Sequence, residues 1–111
     1  MVKGYIYLFE CVSNYETSYK IGFTRNRDFK KRIINLQTGN KDKIKCIDFF
    51  ETKHGRKLET TMHNLYSFKR EGGEWFNLEL RDVVNFKNTC ILLEKNFDIL
   101  EKNKEIYDQE I

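Results

Sequence analysis

The chain has 111 residues, 40% apolar, 14% aromatic and 33% charged, with a formal net charge of +3. That is ample for one compact core and excludes wholesale disorder. The mild net charge argues by itself for no polyanion, and three well-separated cysteines with no CxxC pair speak against a zinc ribbon or a dithiol redox motif.

The opening MVKGYIYLFE alternates like a strand rather than forming a smooth apolar leader, and no run is long enough to cross a bilayer. The expectation is a reduced, soluble, intracellular protein with no membrane partner. It reads as one domain over 1–111, with a core over about 4–78 and a helical extension over about 79–111.

GYIYLFECV, residues 4–12, is aromatic and β-branched and reads as a strand. SNYETS is a polar turn and YKIGF resumes strand character, so the two form a hairpin. Asp28 is a natural N-cap for FKKRIINLQ, where Phe29, Ile33 and Leu36 recur at helical spacing. Gly39 is a natural stop for that helix.

KIKCIDFFET is a third strand whose Phe49–Phe50 pair blurs the alternation. A second helix runs from about Gly55 to Phe68 with Leu58, Met62 and Leu65 as its buried stripe. REGGE ends it, and WFNLE is a short strand or extended segment. From Arg81 on, Val83, Phe86, Cys90, Leu93 and Phe97 mark a long C-terminal helix. The class is α+β, with three or four strands and three helices.

Charge is unevenly spread. Between Lys20 and Lys45 there are nine bases and two acids, whereas from Glu94 onward there are six acids and three bases. Such asymmetry points to a polyanion on one side of the molecule. The densest part is KIGFTRNRDFKKR, where Lys20, Arg25, Arg27, Lys30, Lys31 and Arg32 surround a single acid, Asp28. A solvated helix face is the competing explanation.

Taken in order, YIY (Tyr5, Ile6, Tyr7), KIG (Lys20, Ile21, Gly22), Arg32 in DFKKR, Glu59 in LETTMH and GEWF (Gly73 to Phe76) resemble the GIY-YIG nuclease superfamily. The likeness is to its compact branch common in phages and large DNA viruses, and it covers residues 4 to about 78. It implies a small central antiparallel sheet of about three strands flanked by helices, with the long C-terminal helix appended. It also implies an endonuclease that cuts DNA with one divalent ion, Mg²⁺ or Mn²⁺, on Glu59. RNA stays open as a substrate, and a non-catalytic nucleic-acid-binding module on the same scaffold is the alternative.

The residue types suit such chemistry. Hydrolysis of a phosphodiester needs an oriented water and a neutralised phosphate. The resemblance gives Tyr7 the task of orienting or deprotonating that water. Lys20 stands where many members carry a second tyrosine, and a lysine there can hold a phosphate oxygen or accept a proton. Arg32 has the planar fork that suits a phosphate. One carboxylate plus waters and substrate is the usual style for Mg²⁺, so Glu59 needs no ligand cluster.

His63 lies one turn after Glu59 and shares its helix face. Thr24, Arg25, Arg27, Lys30, Lys31 and His63 complete the expected nucleic-acid contacts. Gly22 serves either a close backbone approach or freedom at a strand end. Trp75 is read as a core anchor against the second helix and Glu74 as a partner of local backbone. With little surface for reading a sequence, specificity falls to DNA structure, to a homodimer or to a partner protein.

Overall fold

The structure is a computed structural model that describes residues 3–13, 16–37 and 43–110. Aromatic and aliphatic residues alternate over Gly4–Val12 and form β1, and Thr17–Thr24 returns beside it as antiparallel β2. Helix α1 spans Phe29–Gln37 and begins where expected, with the Lys30 N–H donating to the Asp28 carboxylate at 3.1 Å. Gly39, the expected stop for this helix, lies outside the described residues.

Strand β3, Lys43–Thr52, pairs with the other edge of β1. Its register shifts between Leu8 and Phe9 of β1, opposite Asp48 and Cys46. That bulge at Ile47 accounts for the blurred alternation, since it lets Ile47 and Phe50 face the same core while Phe49 meets Tyr5 edge-on at 6.4 Å.

Helix α2 spans Gly55–Leu65 and is followed by a 3₁₀ turn, Ser67–Lys69. It ends earlier than the sequence suggests. Leu65 is 53% exposed and Tyr66 is buried in its place, so the stripe is Leu58, Met62 and Tyr66. The chain then folds back as β4, Arg70–Gly72, and β5, Trp75–Phe76, before α3, Leu80–Val84, and α4, Phe86–Glu110. The break between α3 and α4 falls at Asn85, whose side-chain amide donates to the Arg81 carbonyl at 2.8 Å.

Among the described residues the antiparallel sheet therefore has five strands, in the order β3-β1-β2-β5-β4, and not about three. The two additional strands come from REGGEWF, where the glycines look only like a helix breaker. Gly73 takes a φ of 55°, the only positive φ among the described residues, and turns a tight hairpin in which Gly72 pairs with Trp75.

Each sheet face carries its own apolar cluster. On one, Ile6, Leu8, Ile21 and Phe76 meet Leu58, Met62 and Tyr66 of α2 and Phe86, Cys90 and Phe97 of α4. Burial pushes the Cys90 thiol up to about 12, so it behaves there as a small apolar side chain. On the other, Tyr7, Phe9 and Ile44 pack against Ile33 and Leu36 of α1 and against Trp75. Trp75 thus anchors the α1 side, and its neighbour Phe76 takes the α2 side.

Polar contacts pin α4 to the rest. The buried Thr52 hydroxyl donates to Glu94, and His54 Nε2 lies 2.9 Å from Asp98.

Candidate functional site

The site is built on an incomplete sheet edge. Strand β5 pairs with β2 only at Tyr19 and Lys20, followed by one further bond from the Ile21 N–H to the Glu74 carbonyl at 3.2 Å. Beyond that point two side chains of α2 take the place of a neighbouring strand. His63 Nε2 donates to the Ile21 carbonyl at 2.7 Å, and the Glu59 carboxylate accepts from the Phe23 backbone N–H. Buried backbone groups need partners, so these bonds both close the edge and lock α2 beside it. His63, expected at the nucleic acid, is here a structural brace whose ring leans on Phe76 at 5.1 Å.

Tyr7 faces the α1 side, fully buried and stacked on Phe9 at 4.1 Å. Its cross-strand partner is Gly22, and a Cβ built there would stand 2.1 Å from the phenol oxygen. Gly22 is therefore needed for close approach: any side chain would occupy the place of the Tyr7 hydroxyl. From α1, Arg32 Nε donates to the same oxygen at 3.2 Å. Burial raises the Tyr7 pKa above its ordinary value, against the opposing pull of Arg32.

The carboxylates arrive from opposite sides of the β2 edge. Glu74, in the turn between β4 and β5, is paired with Lys20 at 2.9 Å, and the Lys20 ammonium also lies 5.6 Å from the Trp75 ring. Lys20 is well covered, with 13% of its side chain exposed, so this pair is held in place rather than free in solvent. The Glu59 pKa is raised, first by burial and then by the negative charge of Glu74. Both carboxylates also act on Tyr7 and Arg32. Tyr7, Lys20, Arg32, Glu59 and Glu74 thus share one electrostatic neighbourhood.

Glu74 is the member that sequence reasoning missed. Its nearness to Lys20 depends on the β5–β2 pairing, and the only available signal was its place one residue before a strand-like WF. Of the remaining expected contacts, Thr24 accepts from the Asn26 N–H at 3.1 Å and so shapes the turn before α1. Arg25, Arg27, Lys30 and Lys31 are exposed and form no part of the buried cluster.

Residues 4–91 match the sequence model of the T5orf172 domain. The chain belongs to the T5orf172 domain family. It is also 26% identical over 83 residues to "Putative KilA-N domain-containing protein 315L" of Invertebrate iridescent virus 6, covering 72% of this chain and 36% of that protein. The chain thus spans about a third of the length of that relative. No solved structure gives a significant match.

Membership of the T5orf172 domain family corrects the resemblance to GIY-YIG nucleases drawn from the sequence. That resemblance rested on five short motifs in order, YIY, KIG, Arg32 in DFKKR, Glu59 in LETTMH and GEWF, each weak by itself, and the chain departs from it. Leu36 stands where many of those enzymes carry a histidine, and the chain has no proline. The likenesses support a general nucleic-acid-related function. No helix among the described residues is long and apolar enough to cross a membrane.

Proposed function

We propose that this T5orf172 domain is a divalent-metal-dependent endonuclease that hydrolyses phosphodiester bonds, those of DNA foremost. The observation that carries the reading is the meeting of Glu59 and Glu74 with Tyr7, Arg32 and Lys20 at the open end of β2. Two carboxylates that could share a cation, together with two positive side chains, suit the charge of an attacked phosphate.

The donor set fits a single hard cation. Glu59 and Glu74 offer only oxygen, and the penalty of burying one negative charge beside another is what Mg²⁺ or Mn²⁺ would relieve. When bound, such an ion neutralises phosphate charge and makes a coordinated water more acidic. Arg32 supplies a permanent positive charge and a planar fork for a non-bridging phosphate oxygen. Lys20 steadies Glu74 and can trade that partner for a phosphate. Tyr7, whose burial disfavours the phenolate, holds the Arg32 head in place rather than acting as a base.

The direct test is plasmid and branched-DNA cleavage with Mg²⁺, Mn²⁺ or EDTA, comparing wild type, Glu59→Ala and Arg32→Ala. Metal-dependent nicking that Glu59→Ala abolishes and Arg32→Ala slows by roughly a hundredfold is the expected result. Salt-sensitive binding with no cleavage by wild type would overturn the reaction and leave a non-catalytic binding module.

A further inference from the structure

Beside the Glu59 cluster, a cleft of about 260 Å³ opens between the end of β2 and the start of α2, lined by Phe23, Arg25, Lys53, His54, Gly55, Arg56 and Lys57. Its floor is the Phe23 ring, wedged between two glycines. A Cβ on Gly4 would stand 2.2 Å from that ring, and one on Gly55 would stand 2.1 Å from it. The backbones of β1 and α2 close on Phe23 because neither glycine has a side chain.

Four cations stand round this floor. Among the described residues only Lys53 has a carboxylate partner, Asp98 at 3.3 Å, an oxygen it shares with His54. Arg56 lies over Phe23 at 5.6 Å, and Lys57 over Phe97 at 4.7 Å. These two are therefore positioned by aromatic rings, which fix a cation without neutralising it.

Their place also runs against local electrostatics. Arg56 and Lys57 occupy the first turn of α2, which contains no acid. The positive end of a helix favours carboxylates there, so a sequence chosen for helix stability alone would carry Asp or Glu. Local rules broken in this way mark functional sites. Arg56 also precedes Glu59 by three residues on the same helix, and its charge acts on the Glu59 carboxyl. Arg56 thus links the patch electrostatically to the cluster.

We propose that Arg25, Lys53, Arg56 and Lys57 form a second phosphate-binding surface that grips the nucleic-acid backbone next to the phosphate being cut. The proposal rests on the nuclease reading for its substrate class, but binding can be measured without cleavage. The probe is a fluorescently labelled DNA duplex followed by anisotropy without divalent metal, from about 50 to about 200 mM salt. The double variant Arg56→Gln with Lys57→Gln is compared with Lys102→Gln plus Lys104→Gln on the far part of α4, and with the charge-preserving pair Arg56→Lys and Lys57→Arg.

Each phosphate contact contributes about 0.9 to the slope of log affinity against log salt, so losing two lowers the slope by roughly 2 and the affinity by roughly tenfold or more. The charge-preserving pair should keep both, and the α4 pair should change neither. Unchanged slope and affinity in the Arg56→Gln, Lys57→Gln protein would overturn the proposal even if wild type cleaves DNA. A wild type that binds through this patch but cuts nothing would remove the reaction and leave the surface standing. No binding by wild type would remove both.

Discussion

The two faces of the sheet differ in thickness, and the difference divides the labour of the molecule. Among the described residues, the face under α2 and α4 buries eleven in one cluster, from Ile6 to Phe97. The face under α1 buries only Tyr7, Phe9 and Ile44 of them. The thick face holds the fold. The thin one leaves room for Arg32 to reach a buried phenol, and the site lies where the two meet, at the unfinished edge of β2.

The two faces should differ most under truncation of their cores. Phe86→Ala, on the thick face, should cost about 3–5 kcal/mol, enough to leave a domain of this size close to unfolded. Leu36→Ala, on the half-covered α1 side, should cost less than half as much, because a side chain already near solvent leaves a smaller cavity. Urea unfolding of both proteins measures the gap, and equal losses would show that the faces share the fold evenly.

Next in size is the separation of function from stability. Arg32→Ala should slow cleavage by roughly a hundredfold. Its midpoint of unfolding should hardly move, since the side chain is largely exposed. Gly22→Ala should do both. Its new methyl falls where the Tyr7 hydroxyl lies, so overpacking should cost about 1–3 kcal/mol and displace the phenol from Arg32. A Gly22→Ala protein with wild-type Tm and rate would mean that the Tyr7 position is not constrained.

The smallest effect concerns Glu59. Its pKa is raised in the folded protein by burial and then by Glu74. A folded carboxyl above its unfolded value binds more protons than the unfolded chain, so its stabilising contribution is present at low pH and is lost as pH rises through the folded value. Glu59→Gln removes that loss and should raise Tm at neutral pH slightly. Metal affinity of the wild type, read by Mn²⁺ titration, should fall on acidification at a higher pH than for an ordinary carboxylate. A Glu59→Gln protein less stable than wild type would show that the Phe23 N–H bond outweighs the buried charge.

Much of this was legible in local pattern. The three long strands, the Asp28 cap and the Leu58–Met62 stripe follow from alternation, helical spacing and capping chemistry, which operate over a few residues. Tyr7, Lys20, Arg32 and Glu59 are singled out through their places in YIY, KIG, DFKKR and LETTMH and through the phosphate chemistry those residue types suit, not through local pattern. Family assignment from an ordered set of short motifs failed, because each of them, strand-like aromatic triplets above all, recurs in unrelated small domains.

What only the tertiary structure decided depends on contacts between distant segments. Glu74 joins Lys20 because a two-residue strand docks on β2 across more than fifty positions of chain, and nothing in REGGEWF encodes that partner. Gly22 shows why it is a glycine only when the Tyr7 ring lies across the strand from it. His63 and Glu59 become substitutes for a missing strand only because β5 stops early. Sequence periodicity sets the direction in which each side chain points; which backbone edge is left open, and what closes it, is set by the packing of whole elements.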